Sequence, residues 1–191
     1  MALALLESSS AGGGRVVRFL TVSLARELGI LLCLSVMFPF MIHILPVPGD
    51  AQLGPRLLPM FYAPLLASLW GRARSAWVLA LAAPWLNWAL TSHPAAPGAI
   101  VMTMELLGFV FVLRVLLAGV GARWFLAVPA YFSGKAAAML LTMLFPALVG
   151  GRPALAWAAQ SVAVGVPGIA ILVLINWLAV RYYPPGGPAA A

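Results

Sequence analysis

The hydrophobic positions of this chain form six long runs, and most of the glycine and arginine lies between these runs or at the two ends of the chain. A helix needs about 20 predominantly apolar residues to span a membrane. The pattern therefore predicts six spanning helices, over residues 21–45, 56–70, 75–90, 99–118, 124–149 and 154–180. The second run is short for a full crossing, so we expect it to be tilted or partly shielded by protein. The predicted fold is an all-α integral membrane protein, a bundle of six transmembrane helices.

The distribution of arginine predicts the orientation of these helices. With the N-terminus inside, the inner ends hold Arg15, Arg18, Arg26, Arg72, Arg74, Arg114, Arg123 and Arg181, and the outer ends hold only Arg56 and Arg152. Cytoplasmic loops carry an excess of Lys and Arg, so we expect both termini in the cytoplasm. The chain then divides into a cytoplasmic N-terminal segment (1–19), a transmembrane domain (20–181) and a flexible C-terminal tail (182–191).

The composition excludes a soluble globular domain. Hydrophobic residues make up 64% of the 191 residues and charged residues 8%, whereas soluble domains hold about 45–50% and about 25%. The net charge of +7 invites a nucleic-acid partner, but the basic residues recur between apolar runs and form no patch. We therefore expect contact with the lipid bilayer and none with nucleic acid. The single cysteine, Cys33, allows no disulfide within one chain, and no metal motif is present.

Two charged side chains inside apolar runs are the first candidates for a functional site. An ionisable group in a bilayer is costly unless it is paired or faces water, so Glu105 and Lys135 are functional candidates by default. Helical rise places Glu105 about 10 Å below the outer surface and Lys135 deeper, at about 20 Å. Lys135 is long enough to reach Glu105 or a substrate carboxylate. Both a ligand role and a purely structural ion pair remain open at this point.

Further polar and aromatic side chains are predicted to meet Glu105 in the outer half of the membrane. Asn87, Gln160 and Tyr62 lie at a similar depth on three other spans. His93 lies in an outer loop above them, and Trp88 either joins an aromatic belt or lines the same space. Convergence of a few polar groups with aromatics predicts a small-molecule pocket open to the outside. For Asn87 and Gln160, a hydrogen bond between helices is an equally good explanation.

Catalysis finds no support in the sequence. It contains no Gly-x-Ser-x-Gly, no His-Glu-x-x-His and no phosphate-binding glycine loop. We therefore expect a chain that is not an enzyme, has no catalytic residues and binds no cofactor or metal of its own. Because an ATP-binding motif is also absent from the sequence, active transport requires energy from a partner or from an ion gradient.

Four short motifs, in order along the chain, carry a resemblance to a known family. They are LLPMFYAPLLA at 57–67, ALAAPWLNWALTSHP at 80–94, MTMELLG at 102–108 and GVPG at 165–168. Together they resemble the substrate-binding S components of energy-coupling factor (ECF) vitamin transporters. The order and spacing of the motifs cover about residues 20–180. Phe61 stands where a histidine is common in that family, and Ser92-His93 replaces a usual Gly-x, so the substrate cannot be transferred from a relative.

The resemblance implies a six-helix bundle of the S-component type in a prokaryotic cell membrane, with an outward-facing pocket for a vitamin or related cofactor precursor. It further implies docking onto a transmembrane coupling protein driven by two ATPase subunits, which use the ATP. Ala25 and Gly29 match the small-residue docking motif of the first helix, and Glu105 matches an early glutamate of the fourth. The rival interpretations are a structural scaffold of the cell envelope and a stand-alone ion-coupled carrier.

Overall fold

The structure, a computed structural model, describes residues 24–42, 53–70 and 73–183, and over these ranges it is helical and contains no strand. The helices are α1 Leu24–Ile42, α2 Leu53–Leu57, α3 Tyr62–Trp70, α4 Ala73–Thr91, α5 Ala96–Val120, α6 Ala127–Leu144 and α7 Ala154–Tyr182, with 3-10 turns at Pro59–Phe61 and Pro146–Val149. The all-α prediction is thus confirmed for the described part of the chain. The predicted N-terminal segment and residues 184–191 of the predicted tail lie outside it.

Four of the helical segments are long and apolar enough to cross a membrane. They are α1, α5, α6 and the stretch Pro146–Tyr182 that contains α7. A helix that is apolar along such a length has no stable place in water, because its apolar surface would remain exposed there. The four segments therefore indicate a multi-pass membrane protein.

The predicted second span is interrupted in the structure. Its first part forms α2, the chain then turns at Leu58, and α3 follows after the 3-10 turn. Leu58 has left-handed backbone angles, φ 53° and ψ 42°, which a non-glycine residue rarely adopts. A proline disfavours the helical conformation of the residue before it, and Pro59 directly follows Leu58. The proline thus explains why this apolar run is two short helices.

The break in the second span is packed against two glycines of α7. A Cβ added to Gly168 would lie 2.6 Å from Cγ of Leu58 and 2.7 Å from the carbonyl oxygen of Arg56. A Cβ on Gly165 would lie 3.5 Å from a methyl group of Leu58 and 3.0 Å from the hydroxyl of Tyr131. The GVPG motif therefore provides the space in which the interrupted span packs against α7.

Helices α5 and α6 approach each other closely at two further glycines. A Cβ on Gly134 of α6 would overlap the carbonyl oxygen of Glu105 on α5. A Cβ on Gly108 would lie 3.0 Å from Cβ of Ala137 and 3.1 Å from Cα of Gly134. Small residues let membrane helices pack backbone against backbone. This contact holds residue 105 of one helix directly beside residues 134 and 135 of the other.

Helix α6 ends earlier than the sequence pattern predicted, at Leu144 instead of residue 149. Pro146 cannot continue the hydrogen-bond ladder of a helix, and it opens a separate 3-10 turn. Because α6 ends at Leu144, the prediction that Lys135 lies deeper than Glu105 is wrong. Glu105 follows the start of α5, and Lys135 precedes the end of α6, by the same interval of about two and a half turns.

The core beside this contact is aromatic. The ring of Phe61 packs edge to face against Phe109 at 5.3 Å and against Tyr131 at 5.5 Å between centroids. All three side chains are buried. Phe61 comes from the interrupted second span, so this cluster joins that span to α5 and α6. Phe61 thus acts as an apolar packing residue in this core.

Candidate binding site

The centre of the candidate site is a buried ion pair between α5 and α6. Nζ of Lys135 lies 2.7 Å from Oε1 of Glu105. The two residues are only 6% and 2% exposed. Removing two charges from water is costly, and their attraction repays that cost only when geometry and further hydrogen bonds are good. Both predicted charged candidates are thus brought together, and each neutralises the charge of the other.

Three side chains that the sequence did not single out as site residues surround the ammonium group. Nζ of Lys135 donates a second hydrogen bond to Oγ of Ser161 at 2.7 Å. The rings of Tyr131 and Trp157 lie 5.6 Å and 5.5 Å from Nζ, within cation–π range. Trp157 and Ser161 lie one turn apart on α7, and Tyr131 and Lys135 lie one turn apart on α6. That four-residue spacing is the signal from which these neighbours could have been found.

Hydrogen-bonding capacity is left unused in this cluster. Oε2 of Glu105 and the hydroxyl of Tyr131 are buried and have no hydrogen-bond partner among the described residues. The ammonium group of Lys135 carries three N–H donors. The described residues supply acceptors for two of them, Oε1 of Glu105 and Oγ of Ser161. Buried polar atoms are nearly always satisfied, and an orphaned one in a native structure needs an explanation. The cluster can therefore accept a hydrogen bond at Oε2 of Glu105 and donate from Nζ of Lys135 and from the hydroxyl of Tyr131.

Asn87 and Tyr62 are buried, but their hydrogen bonds lead away from Glu105. Nδ2 of Asn87 donates to the carbonyl oxygens of Ser35 on α1 at 3.1 Å and of Ala83 at 3.0 Å. The hydroxyl of Tyr62 donates to the carbonyl oxygen of Leu57 across the interrupted second span. Asn87 therefore joins two helices, which is the second of the roles open for it, and Tyr62 bridges the break at residue 58.

Gln160, Trp88 and His93 are exposed side chains. Oε1 of Gln160 accepts a hydrogen bond from a guanidinium nitrogen of Arg152 at 3.2 Å. Among the ring contacts of the described residues, Trp88 has one, with Trp85 of the same helix. The two ring centroids are 6.0 Å apart. The predicted convergence at one depth is thus not reproduced by the described contacts, because these three side chains point away from the bundle interior.

Ala25 and Gly29, the predicted docking residues, lie on an exposed part of α1. A Cβ added to Gly29 would meet no atom of the described chain within 4 Å. Within residues 24–42, 53–70 and 73–183, no side chain covers the surface at Gly29.

A cavity of about 310 Å³ lies elsewhere, between α3 and the C-terminal end of α7. Its lining includes Leu66, Trp70, Ile175 and Tyr182, and it is almost entirely apolar. Nε1 of Trp70 donates to the carbonyl oxygen of Tyr183 at its rim, at 2.7 Å. Ligand sites combine apolar walls with a few oriented polar groups, so the charged cluster is the better candidate site.

The comparisons with known proteins do not add to this geometry. No family model, no curated protein and no solved structure matches the chain. Within residues 24–42, 53–70 and 73–183, no group of three or more His, Cys, Asp or Glu side chains is placed to hold a metal ion. The side chains of the cluster offer hydrogen bonds, a charged pair and aromatic faces to a bound molecule.

Proposed function

We propose that this chain is the membrane-embedded substrate-binding subunit of an ECF-type importer, and that it captures a vitamin or related cofactor precursor from the outer side. The observation that carries the proposal is the buried Glu105–Lys135 pair, with an unsatisfied carboxylate oxygen and two aromatic rings around it. It lies in a chain that also has the four motifs of the resemblance.

A ligand role explains the cluster better than a structural role alone. Replacing a buried ion pair by well-packed apolar residues is often neutral or stabilising, so stability is a weak reason to have one. An unsatisfied buried oxygen costs about 1–3 kcal/mol. A bound molecule that donates a hydrogen bond to Oε2 of Glu105 recovers that energy, whereas an empty structural pair does not.

The topology that belongs to this proposal is six spans with both termini in the cytoplasm of a prokaryotic cell. Helices α2 and α3 together form the interrupted second span. Helix α4 has 19 residues and is therefore about 28 Å long, close to the thickness of about 30 Å of the hydrocarbon core. The arginine distribution orients the bundle. Exposed cysteines introduced at positions 74 and 152 should react with impermeant reagents only at 152.

Transport in this proposal needs partners. The exposed side of α1 around Ala25 and Gly29 docks on a transmembrane coupling protein, and two ATPase subunits of that module hydrolyse ATP. Small residues permit the close approach of a second helix, and nothing in the described chain occupies the space beside Gly29.

The experiment that tests the proposal is a ligand screen on the purified chain. Native mass spectrometry and thermal-shift measurements against a panel of vitamins and their precursors should find one compound that binds and stabilises the protein. Uptake of that compound should then require the coupling protein and ATP. Uptake by the chain alone in proteoliposomes, driven by an ion gradient, would instead identify an ion-coupled carrier. Absence of any bound compound, with stable association to envelope proteins, would identify a scaffold.

A further inference from the structure

We infer that the part of the ligand reaching the Glu105–Lys135 cluster is a neutral, planar group that carries a hydrogen-bond donor and an acceptor side by side. Cyclic amides, cyclic ureas and aminopyrimidines have such an edge. The inference rests on the proposed function and names the chemical class of its substrate. Three observations carry it: the charge balance of the cluster, its unused hydrogen-bonding atoms and the two rings beside it.

The charge balance disfavours an ionic ligand group. Glu105 and Lys135 neutralise each other at 2.7 Å, and the cluster is almost completely shielded from water. A carboxylate brought here would leave one net negative charge in a medium of low dielectric, and an ammonium would leave one net positive charge. Burying an uncompensated charge is far more costly than burying a neutral polar group that is hydrogen-bonded. A neutral group keeps the balance intact.

To satisfy the unused atoms of Glu105 and Lys135, the ligand group must supply one hydrogen-bond donor and one acceptor. Oε2 of Glu105 has no donor among the described residues, so a ligand N–H satisfies it. Two acceptors in the described chain take hydrogen bonds from Lys135, so a ligand carbonyl oxygen or ring nitrogen can take the third. Because Oε1 of the same carboxylate is bonded to Nζ, the two unused positions lie close together. An amide or amidine edge presents its N–H and its acceptor at that short separation.

The rings favour a planar group. Tyr131 and Trp157 lie at 5.6 Å and 5.5 Å from Nζ of Lys135, so both rings are near a group that is hydrogen-bonded to this nitrogen. The hydroxyl of Tyr131, buried and unpartnered among the described residues, offers a further hydrogen bond at the edge of the same space. Flat rings pack against aromatic side chains with their full area.

The test uses four small probes of similar size and the full-length protein in detergent. These are 2-pyridone, which has the donor–acceptor edge; N-methyl-2-pyridone, which keeps the acceptor and loses the donor; benzoate; and benzylamine. Ligand-detected NMR measures their binding, with the signal from protein-free detergent subtracted. Fragments of this size bind at about 1 mM. We expect 2-pyridone to bind at least about 10-fold more tightly than each of the other three, because only it satisfies both unused positions.

Two variants sharpen the test by changing the charge of the cluster. Glu105→Gln leaves one net positive charge and should shift the preference to benzoate, whereas Lys135→Met leaves one net negative charge and should shift it to benzylamine. Thr103→Ala is the control. Among the described hydrogen bonds, the Thr103 hydroxyl donates one, to the carbonyl oxygen of Ala99 on its own helix. This control should keep the preference for 2-pyridone. If either charge variant does not fold, the comparison of the four probes on the unmodified chain still decides.

The inference is overturned if benzoate or benzylamine binds the unmodified chain most tightly, or if the two pyridones bind equally. It is also overturned if none of the four probes shows binding at a probe concentration of about 10 mM. These outcomes leave the proposed function standing when the vitamin screen still finds a ligand. Failure of that screen together with tight 2-pyridone binding would contradict the transport proposal and keep the site.

Discussion

The α5–α6–α7 cluster and helix α1 use glycine in opposite ways. Gly134 of α6 lies so close to the backbone of α5 that a Cβ would overlap the carbonyl oxygen of Glu105, whereas a Cβ on Gly29 of α1 would meet nothing within 4 Å. In the most apolar window of α6, 39% of the residues are buried, but only 11% are buried in that of α1. The same residue type thus permits a close contact between two helices in one region and, in the other, lies on a surface that no described residue covers.

This difference separates two tasks that the proposed function needs. The interior contact fixes two charged side chains against each other with a hydroxyl and two rings around them, and such preorganisation favours ligand binding. Helix α1 makes contacts with the rest of the described chain, and its Leu31 and Leu32 pack against the core. Among these are the hydrogen bond from Asn87 to Ser35 and the edge-to-face contact of Phe38 with Tyr62. Such a helix is suited to contact a partner without disturbing the site.

The strongest test of the comparison places the same large side chain in both regions. Gly134→Leu should abolish the folded protein, because even its Cβ overlaps the backbone of α5 and neither helix can move without breaking the packing. The yield of monodisperse protein by size-exclusion chromatography measures this. Gly29→Leu is the matched control and should give the yield of the unmodified chain. A normal yield of Gly134→Leu would show that the close α5–α6 contact does not hold.

The second test concerns the partner surface of α1. Gly29→Leu adds bulk where a coupling helix would approach, so it should lose complex formation and uptake while keeping vitamin binding. Co-purification with the coupling protein and both ATPases measures the first effect, and a binding isotherm measures the last. Gly119→Leu makes the same change at another open position, on α5, and should keep the complex. If Gly29→Leu co-purifies at normal yield, the docking surface lies elsewhere.

The third test asks whether the charged pair serves ligand or stability. Glu105→Gln keeps the shape of the side chain and removes its charge. Loss of one partner of a buried, charged hydrogen bond typically costs about 2–5 kcal/mol, so affinity for the vitamin found in the screen should fall about 30-fold or more. The folded yield of the variant is measured in parallel. A lost yield that Lys135→Met restores in the double variant would instead mark the pair as structural.

The sequence predicted the helical class and showed Glu105 and Lys135 as two charges inside apolar runs, because both features are visible without three-dimensional information. It did not predict that Lys135 and Glu105 share one depth, because Pro146 ends α6 several residues before the apolar run ends. The break at Leu58 could have been expected from Pro59. The packing of Leu58 against Gly165 and Gly168 could not, because these glycines lie over 100 positions away in the chain.

Asn87 could not be assigned from the sequence for a different reason. Its partner on α1 is the backbone carbonyl of Ser35, and every residue has such a carbonyl, so no residue type points to the contact. Gln160 illustrates the converse. Its distance along α7 was a fair estimate of depth, but the direction of its side chain depends on how α7 packs, and that direction leads to Arg152 on the exposed side.

The smallest expected effect tests how weakly α1 is held. Asn87→Ala removes the hydrogen bond to Ser35, and interhelical hydrogen bonds in membranes contribute about 0.6 kcal/mol on average. We therefore expect a melting temperature lower by a few degrees at most, with vitamin affinity unchanged within about twofold. Trp88→Ala, at an exposed position of the same helix, is the control and should change neither. A tenfold loss of affinity in Asn87→Ala would place Asn87 in the binding site after all. The binding interior and the docking helix would then not be separate regions, because one residue would serve both.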